Sequence, residues 1–277
     1  MKLFFAGLVA TATATAVCAV AVPAQAASVA SVQVAPVNPV KALKAQLVPG
    51  KGVKITESSG ITLDFTVDDR AMQVQVSTHT VGTLAFGKGN VAAADLRVRM
   101  SSRQKRSDPP YRVIAEGRNA YVTNAGIAKA LPSGLSWIQS KASGRENAIL
   151  RMGVTPADLR FMLDNASEVA AGQYQGTATL ADFQHDKSAG EGNVEFRLYF
   201  DEHNLLTRTV VDTTAYPDGD TPAYDQMVFH TDTKYSDWGA KVKIAAPAAD
   251  KVISEKKLNA KIRKAVIKAG YPENGPF

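Results

Sequence analysis

The sequence has a single cysteine, Cys18, among its 277 residues. Because nothing after this position carries a thiol, a disulfide framework, a thiol nucleophile and a zinc–thiolate site are all excluded downstream of it. Histidine is scarce as well: the four histidines stand alone, with neither an HExxH motif nor a closely spaced pair. No serine lies in a Gly-x-Ser-x-Gly elbow. These absences argue against hydrolase and metalloenzyme chemistry, and we expect a protein that is not an enzyme and needs no cofactor.

An apolar run at the N-terminus predicts export. Met1-Lys2 supplies a positive start, residues 3–22 are apolar or small, and Ala24-Gln25-Ala26 offers the small residues that a signal peptidase accepts. No basic flank follows, which weighs against a transmembrane helix. Lipid anchoring at Cys18 is the weaker alternative, because Val17 stands where lipoprotein signals have Gly, Ala or Ser. We expect a signal peptide over residues 1–26, a secreted or cell-envelope location, and a mature chain of about 250 residues.

Charge gives little support for a nucleic-acid partner. The net charge of +6 is modest and spread along the chain. A basic run at residues 101–108 lacks interleaved aromatic residues and is better explained as a loop tip between strands. Asp218, Asp220 and Asp225 could supply oxygens to calcium, but Pro217-Asp218-Gly219 is also a plain turn sequence, which we favour.

Alternating apolar residues predict strands through most of the chain. Residues 27–37 have no periodicity and are interpreted as a flexible leader, and Asn38-Pro39 begins a short predicted helix that ends by Pro49-Gly50. From Gly52 the period becomes two, with two short strands predicted around residues 117–119. The same period returns in residues 174–180, 194–200, 206–211, 227–229 and 242–244.

One helix is predicted in the middle of the chain. Thr155 and Asp158 have the spacing of a helix cap, Pro156 suits the first helical position, and an apolar face continues as far as Gly172. Its predicted apolar positions are Leu159, Met162, Leu163, Ala166, Val169 and Ala170. Before this helix, residues 126–144 predict loops and a short element rather than a regular strand.

The order of strands, helix and strands, without alternating βαβ units, predicts an α+β fold with one antiparallel sheet and helices on one face. We expect the helix from Thr155 and the segment Leu131–Ile138 to cover the inner face and to leave an apolar cavity. Residues two apart in a strand share a face, and the helix faces them from the cover. The predicted ligand-binding residues are Ile61, Leu63, Phe65, Leu84, Phe86, Leu96, Val98, Met100, Leu159, Met162, Leu163, Phe196, Leu198 and Phe200. Ordinary core is the alternative for all of them. Any polar head group should be held at the rim of the cavity.

A basic amphipathic helix is predicted in the C-terminal extension, residues 249–277. Ser254 is its expected cap, and Leu258 and Ile262 begin a narrow apolar face that is surrounded by lysines. Docking on the domain with a solvated basic face is the favoured interpretation, and peripheral contact with a membrane or cell-wall polyanion is the alternative.

The ordered set of segments resembles the LolA/LolB superfamily of envelope lipoprotein and lipid carriers, and within it the LppX/LprG-type lipid-binding proteins of actinobacteria. The resemblance covers about residues 40–247. It is carried by Gly82–Phe86, Ala94–Val98, Asn119–Val122, Trp137, the Thr-Pro-Ala-Asp-Leu sequence from Thr155, Gly172–Gly176, Phe200–Arg208 and Tyr235–Ile244.

The resemblance implies a LolA-like curved antiparallel half-barrel over residues 38–248, with helices covering its concave face. It also implies a monomeric, non-enzymatic carrier that binds lipid or another hydrophobic ligand. The superfamily includes sensor domains, so an envelope sensing or protein-interaction module with a filled barrel and an envelope protein as partner is the alternative. The superfamily's lipid-carrying lipoproteins have a lipobox cysteine, and Cys18 is poorly placed for that role, which favours a secreted form.

Overall fold

The computed structural model describes residues 38–67, 70–102, 109–141, 155–186, 190–216 and 225–268. The predicted signal peptide and leader lie outside the described residues, as do most of the basic run at 101–108 and most of the aspartate-rich segment at 217–225.

Twelve strands form one large, unclosed and mostly antiparallel sheet. The strands are β1 (Lys51–Val67), β2 (Arg70–Phe86), β3 (Val91–Ser102), β4 (Tyr111–Glu116), β5 (Asn119–Thr123), β6 (Trp137–Lys141), β7 (Ala166–Ala170), β8 (Gln173–Thr179), β9 (Gly192–Phe200), β10 (Leu206–Ala215), β11 (Gln226–Lys241) and β12 (Val252–Ser254). Their order across the sheet is β12-β6-β5-β4-β3-β2-β1-β11-β10-β9-β8-β7. Only the β6–β12 pair is parallel within the described part of the sheet.

A few helices accompany this sheet. Within the described ranges they are α1 (Pro39–Gln46), α2 (Ala125–Ala130), α3 (Pro156–Asp164), α4 (Leu180–Gln184) and α5 (Glu255–Lys268), with a 3₁₀ turn at Ala249–Lys251. Apolar residues of α1, α3 and α4 belong to the same buried cluster as residues of the central strands. Among the helices described here, none is both long and apolar enough to cross a bilayer.

Local sequence accounts for several of these elements. Asn38 caps α1 by accepting hydrogen bonds from the backbone N–H groups of Val40 and Lys41, and Pro39 occupies the first turn as predicted. The predicted hairpin of β4 and β5 is also confirmed. Its turn contains Gly117 at φ 60°, a backbone conformation that glycine adopts without steric cost.

The helix from Thr155 is shorter than predicted. Its predicted capping box is present, with Thr155 and Asp158 each accepting from the other's backbone N–H. It ends at Asp164, however, and the predicted helical positions Ala166, Val169 and Ala170 lie in strand β7, which pairs with β8. Residues 166–170, Ala-Ser-Glu-Val-Ala, have no strong preference for either state, so pairing along the sheet edge decides between them.

Two further predictions are wrong. Residues 137–141 form strand β6 between β5 and β12, so the last two residues of the predicted Leu131–Ile138 cover belong to the sheet itself. Residues 242–244, predicted as a closing strand, follow the end of β11 and form no ladder. One of the two pairing partners of β6, strand β12, lies more than a hundred residues away along the chain, and local periodicity carries no information about it.

Candidate functional site

Cross-strand pairing places the predicted wall on one face of the sheet. Leu84 lies opposite Val53 and Ala94, and Phe196 lies opposite Val211. Directly opposed residues in an antiparallel pair point to the same side, and residues two apart in one strand do so too. This rule applies from strand to strand between β3 and β9. It places the predicted wall residues of β1, β2, β3 and β9 on a single face of the sheet, which we call the inner face.

Burial divides these predicted residues into two groups. The first group, the packed end, contains side chains with almost no solvent exposure, at Leu84, Phe86, Leu96, Phe196 and Leu198, together with Leu159 and Met162 of α3. The second group, the open end, contains Ile61, Leu63, Phe65, Val98 and Met100, which are half-buried or exposed. Met100 is 40% exposed, and Met72, which lies on the same face opposite Phe65, is 48% exposed. The remaining predicted residues, Leu163 and Phe200, are half-buried at the margin of the packed cluster.

On strands β1 and β2, a transverse row of polar residues lies between the packed end and the open end; on β9 it does not, because the buried Phe196 lies beyond the level of this row. The row crosses four neighbouring strands, and each of its residues lies directly opposite the next. Its members are Thr80 of β2, Glu57 of β1, Thr233 of β11 and Thr209 of β10. All four are buried, and we call them the polar row. The hydroxyl of Thr233 donates a hydrogen bond to Glu57 Oε2 over 3.0 Å.

A cavity of about 380 Å³ lies between the inner face and helices α3 and α4. Its lining residues come from β1, β10, β11 and the two helices. They are Glu57, Asp158, Phe161, Met162, Leu180, Phe183, Gln184, His185, Thr209, Val211, Thr213, Met227, Phe229, Thr231, Thr233 and Tyr235. Three polar-row residues thus form part of the cavity wall, beside apolar side chains.

Two Thr-x-x-Asp sequences fix the helical side of the cavity. Thr179 caps α4 as Thr155 caps α3, by accepting a hydrogen bond from the N–H group three residues on. The capped helices bring Phe161 of α3 and Phe183 of α4 together, with ring centroids 6.2 Å apart in an edge-to-face arrangement. Gly176 of β8 allows the end of α3 to lie close to the sheet, because a Cβ atom there would lie 2.2 Å from the carbonyl oxygen of Asn165.

Burial governs the electrostatics of the inner cavity wall. It raises the pKa of Glu57, and the hydrogen bond from Thr233 offsets only part of this effect. Burial also raises the pKa of Tyr235, whose hydroxyl lies 3.5 Å from that of Thr209.

At the mouth of the cavity, the exposed His185 lies 4.0 Å from Asp158. Within the described residues, no three His, Cys, Asp or Glu side chains are grouped closely enough to hold a metal ion.

A larger groove, of about 500 Å³, has less of the character of a binding site. Most of its lining side chains belong to the opposite face of the sheet, such as Ser58, His79 and Arg99. None of its lining residues is buried. The 380 Å³ cavity, by contrast, has buried residues in its walls and lies beside two helices.

Comparison with solved structures finds the resemblance that the sequence predicts. The chain is similar to LprF from Mycobacterium bovis, at 15% identity and a TM-score of 0.38 over 76% of this chain and 97% of that one. It is also similar to a LolA superfamily protein from Nitrosomonas europaea, at 10% identity and a TM-score of 0.24 over 74% and 93% of the two chains. A DUF1329 family protein from Desulfovibrio piger matches at 12% identity and a TM-score of 0.25, over 76% and 96%. No protein-family model and no curated protein matches the chain.

Of the predicted ligand-binding residues, only Met162 lines the cavity. Sequence analysis missed the residues of α4, although Thr179 and Asp182 repeat the capping spacing that reveals α3. It also missed Glu57, which the alternation in β1 places on the same face as Ile55 and Ile61. An acid on an otherwise apolar face is a detectable signal, because burying a carboxyl group costs free energy unless the group is hydrogen-bonded or paired.

Proposed function

We propose that this chain is a non-enzymatic carrier that binds a lipid or another hydrophobic ligand in the cavity under α3 and α4. In this proposal the sheet curves as a half-barrel and the helices cover its concave face. The observation that carries the proposal is the 380 Å³ cavity, whose wall continues from the buried residues Met162 and Leu180 to half-buried apolar residues such as Met227 and Phe229. A volume of this size is within the range of small-molecule sites.

The composition of the wall suits an apolar ligand. Each methylene moved from water into such a cavity contributes about 0.8 kcal/mol. Phe161, Phe183 and Phe229 offer rigid apolar surface, and the unbranched side chains of Met162 and Met227 adapt to ligands of different shape. Longer ligands would extend along Ile61 and Leu63 of the open end, which keeps these two residues in the proposed site. Together with the predicted signal peptide, this supports a carrier that works outside the cytoplasm.

A protein-interaction or sensing module is the second candidate function. The observation that favours it is the exposure of Met72 and Met100, which leaves apolar surface at the open end for a partner. Such a module would use the open end and would leave the cavity under α3 empty.

Two experiments test the carrier function: identification of a bound ligand, and a substitution that fills the cavity. Native mass spectrometry and organic extraction of the protein from its own host should reveal an acyl or other apolar molecule. In a fluorescent fatty-acid binding assay, Thr213→Trp should weaken binding at least ten-fold, because Thr213 lines the cavity and the indole would fill it. The matched control is Thr214→Trp, whose side chain points to the opposite face of the same strand.

The outcomes separate the two functions. A protein that is isolated without ligand and does not bind the fluorescent probe would contradict the carrier. Equal weakening by Thr213→Trp and Thr214→Trp would place any binding outside the cavity. If a partner is instead captured and Met100→Ser abolishes that capture, the interaction module is supported.

A further inference from the structure

We propose that the cavity takes an apolar molecule with an uncharged hydrogen-bonding oxygen, as in a fatty alcohol or ester, and holds that oxygen at the polar row. An ionised carboxylate is disfavoured at the same place. This inference rests on the proposed function and adds to it the chemical class of the ligand and the direction in which it enters. It also differs from the sequence-based expectation that the head group is held at the rim.

The polar row is the deepest part of the cavity. Glu57, Thr209 and Thr233 are 6%, 5% and 3% exposed, whereas Thr231 and Phe229, further along β11, are half-buried. These three polar side chains therefore lie at the inner end of the cavity, whereas its outer part combines apolar residues such as Met227 and Phe229 with polar ones such as Thr231 and Gln184. A ligand whose apolar part occupies the outer cavity would bring its polar end to Glu57.

The charges of the described lining residues disfavour an anion. Among the residues that the structure describes, the lining includes two acids, Glu57 and Asp158, and neither lysine nor arginine. The other titratable groups of this described lining are Tyr235, from β11, and His185, from the end of α4. His185 is exposed at the mouth beside Asp158, so it cannot neutralise a group at the buried end. A carboxylate placed at the polar row would lose its hydration and meet another carboxyl group without gaining a cation.

The hydrogen-bonding capacity of the row fits a neutral oxygen. A hydroxyl group both donates and accepts, and a neutral carboxyl group does the same. The contact of 3.5 Å between the hydroxyls of Thr209 and Tyr235 is longer than a typical hydroxyl hydrogen bond, so a ligand oxygen can compete for the hydroxyl of Thr209.

A matched pair of probes, decanol and decanoate, tests this inference on the full mature chain by displacement of a neutral fluorescent dye at pH 8. Decanoate is more strongly hydrated than decanol in any case, so the ratio of their affinities in the wild type is not decisive. The decisive quantity is the change in that ratio in Glu57→Gln, which keeps an acceptor for Thr233 and removes the ionisable group. The control is Glu195→Gln, which removes an exposed acid from the opposite face of β9.

We expect Glu57→Gln to strengthen decanoate binding at least three-fold relative to decanol, and Glu195→Gln to leave the ratio unchanged. A second variant, Thr209→Val, should weaken decanol binding at least three-fold without changing dye binding. An unchanged ratio in Glu57→Gln, or unchanged decanol binding in Thr209→Val, would overturn the inference while the carrier function stands. If the dye and both probes fail to bind the wild type, the carrier function itself fails.

Discussion

The packed end and the open end of the inner face have the same alternating sequence pattern and opposite surroundings. Leu84 and Leu96 share one buried cluster with apolar residues of helices α1 and α3. Leu63 and Phe65 continue the same face of β1 beyond the polar row, and there they are only half-buried. The comparison shows that alternation sets which way a side chain points, whereas packing against other buried residues sets whether it becomes core.

On β1 and β2, the polar row marks the change between the two ends. A buried carboxyl group inside the packed end would require a partner for both of its oxygens, and at the open end it would be hydrated. Glu57 lies between these situations, with a hydrogen bond from Thr233 and with the cavity beside it. If the two ends differ in their contribution to stability as they differ in burial, substitutions at the two ends should change the free energy of unfolding by different amounts.

The largest expected effect is in the packed end. Leu96→Ala should lower the free energy of unfolding by about 2–5 kcal/mol, because it leaves a void among fully buried side chains. The matched variant Leu63→Ala at the open end should cost about 1 kcal/mol or less, because Leu63 is half-exposed. Urea unfolding monitored by circular dichroism measures both. Equal losses in the two variants would show that the open end is covered in solution.

A smaller effect is expected at the helix that covers the cavity. Thr155→Ala removes one half of the capping box of α3 and should destabilise the protein by about 1 kcal/mol. Thr155→Ser keeps the hydroxyl and should retain most of the stability. Hydrogen exchange of the α3 amides should increase in the alanine variant only. Unchanged exchange would mean that packing of Leu159 alone holds the helix.

The smallest effect is the pH dependence contributed by Glu57. The folded protein holds the Glu57 proton more tightly than the unfolded chain does, because burial raises the pKa above the ordinary value of 4.5. The contribution of Glu57 to stability is therefore fully present below about pH 4.5 and is lost as the pH rises through its folded pKa.

Melting temperatures of the wild type and Glu57→Gln, measured from pH 4 to pH 8, test this. Glutamine does not titrate, so the variant should gain stability relative to the wild type as the pH rises. All other titrating groups are shared, which makes the difference specific to position 57. A difference that is constant with pH would contradict the proposed protonation of Glu57.

Sequence was sufficient for much of the sheet and for the start of α3. Alternation predicts which face Leu84 and Phe196 share, and the Thr155–Asp158 spacing predicts the capping box that the structure contains. The end of α3 was not predictable, since Ala166 and Val169 fit a helical face as well as a strand. Pairing with β8, a tertiary interaction, decides the outcome there.

The site was less predictable than the fold. Its walls combine strand β1 with β10 and β11, which lie far from β1 in the sequence, and with α4, a helix of five residues with too few positions to show periodicity. The row of Thr80, Glu57, Thr233 and Thr209 exists only through strand register. Sequence shows each of these residues singly, and pairing brings them together.

The most direct test of the carrier is to locate a bound ligand by NMR of ¹³C-labelled methionine methyl groups. Met162 and Met227 line the cavity, whereas Met100 lies at the open end of β3, with β1 and β2 between it and β11. If the ligand binds in the cavity, titration with decanol should produce saturable shifts of the Met162 and Met227 methyl signals and leave the Met100 signal unchanged. Saturable shifts confined to Met100, or no shift at any of the three, would contradict binding in the cavity.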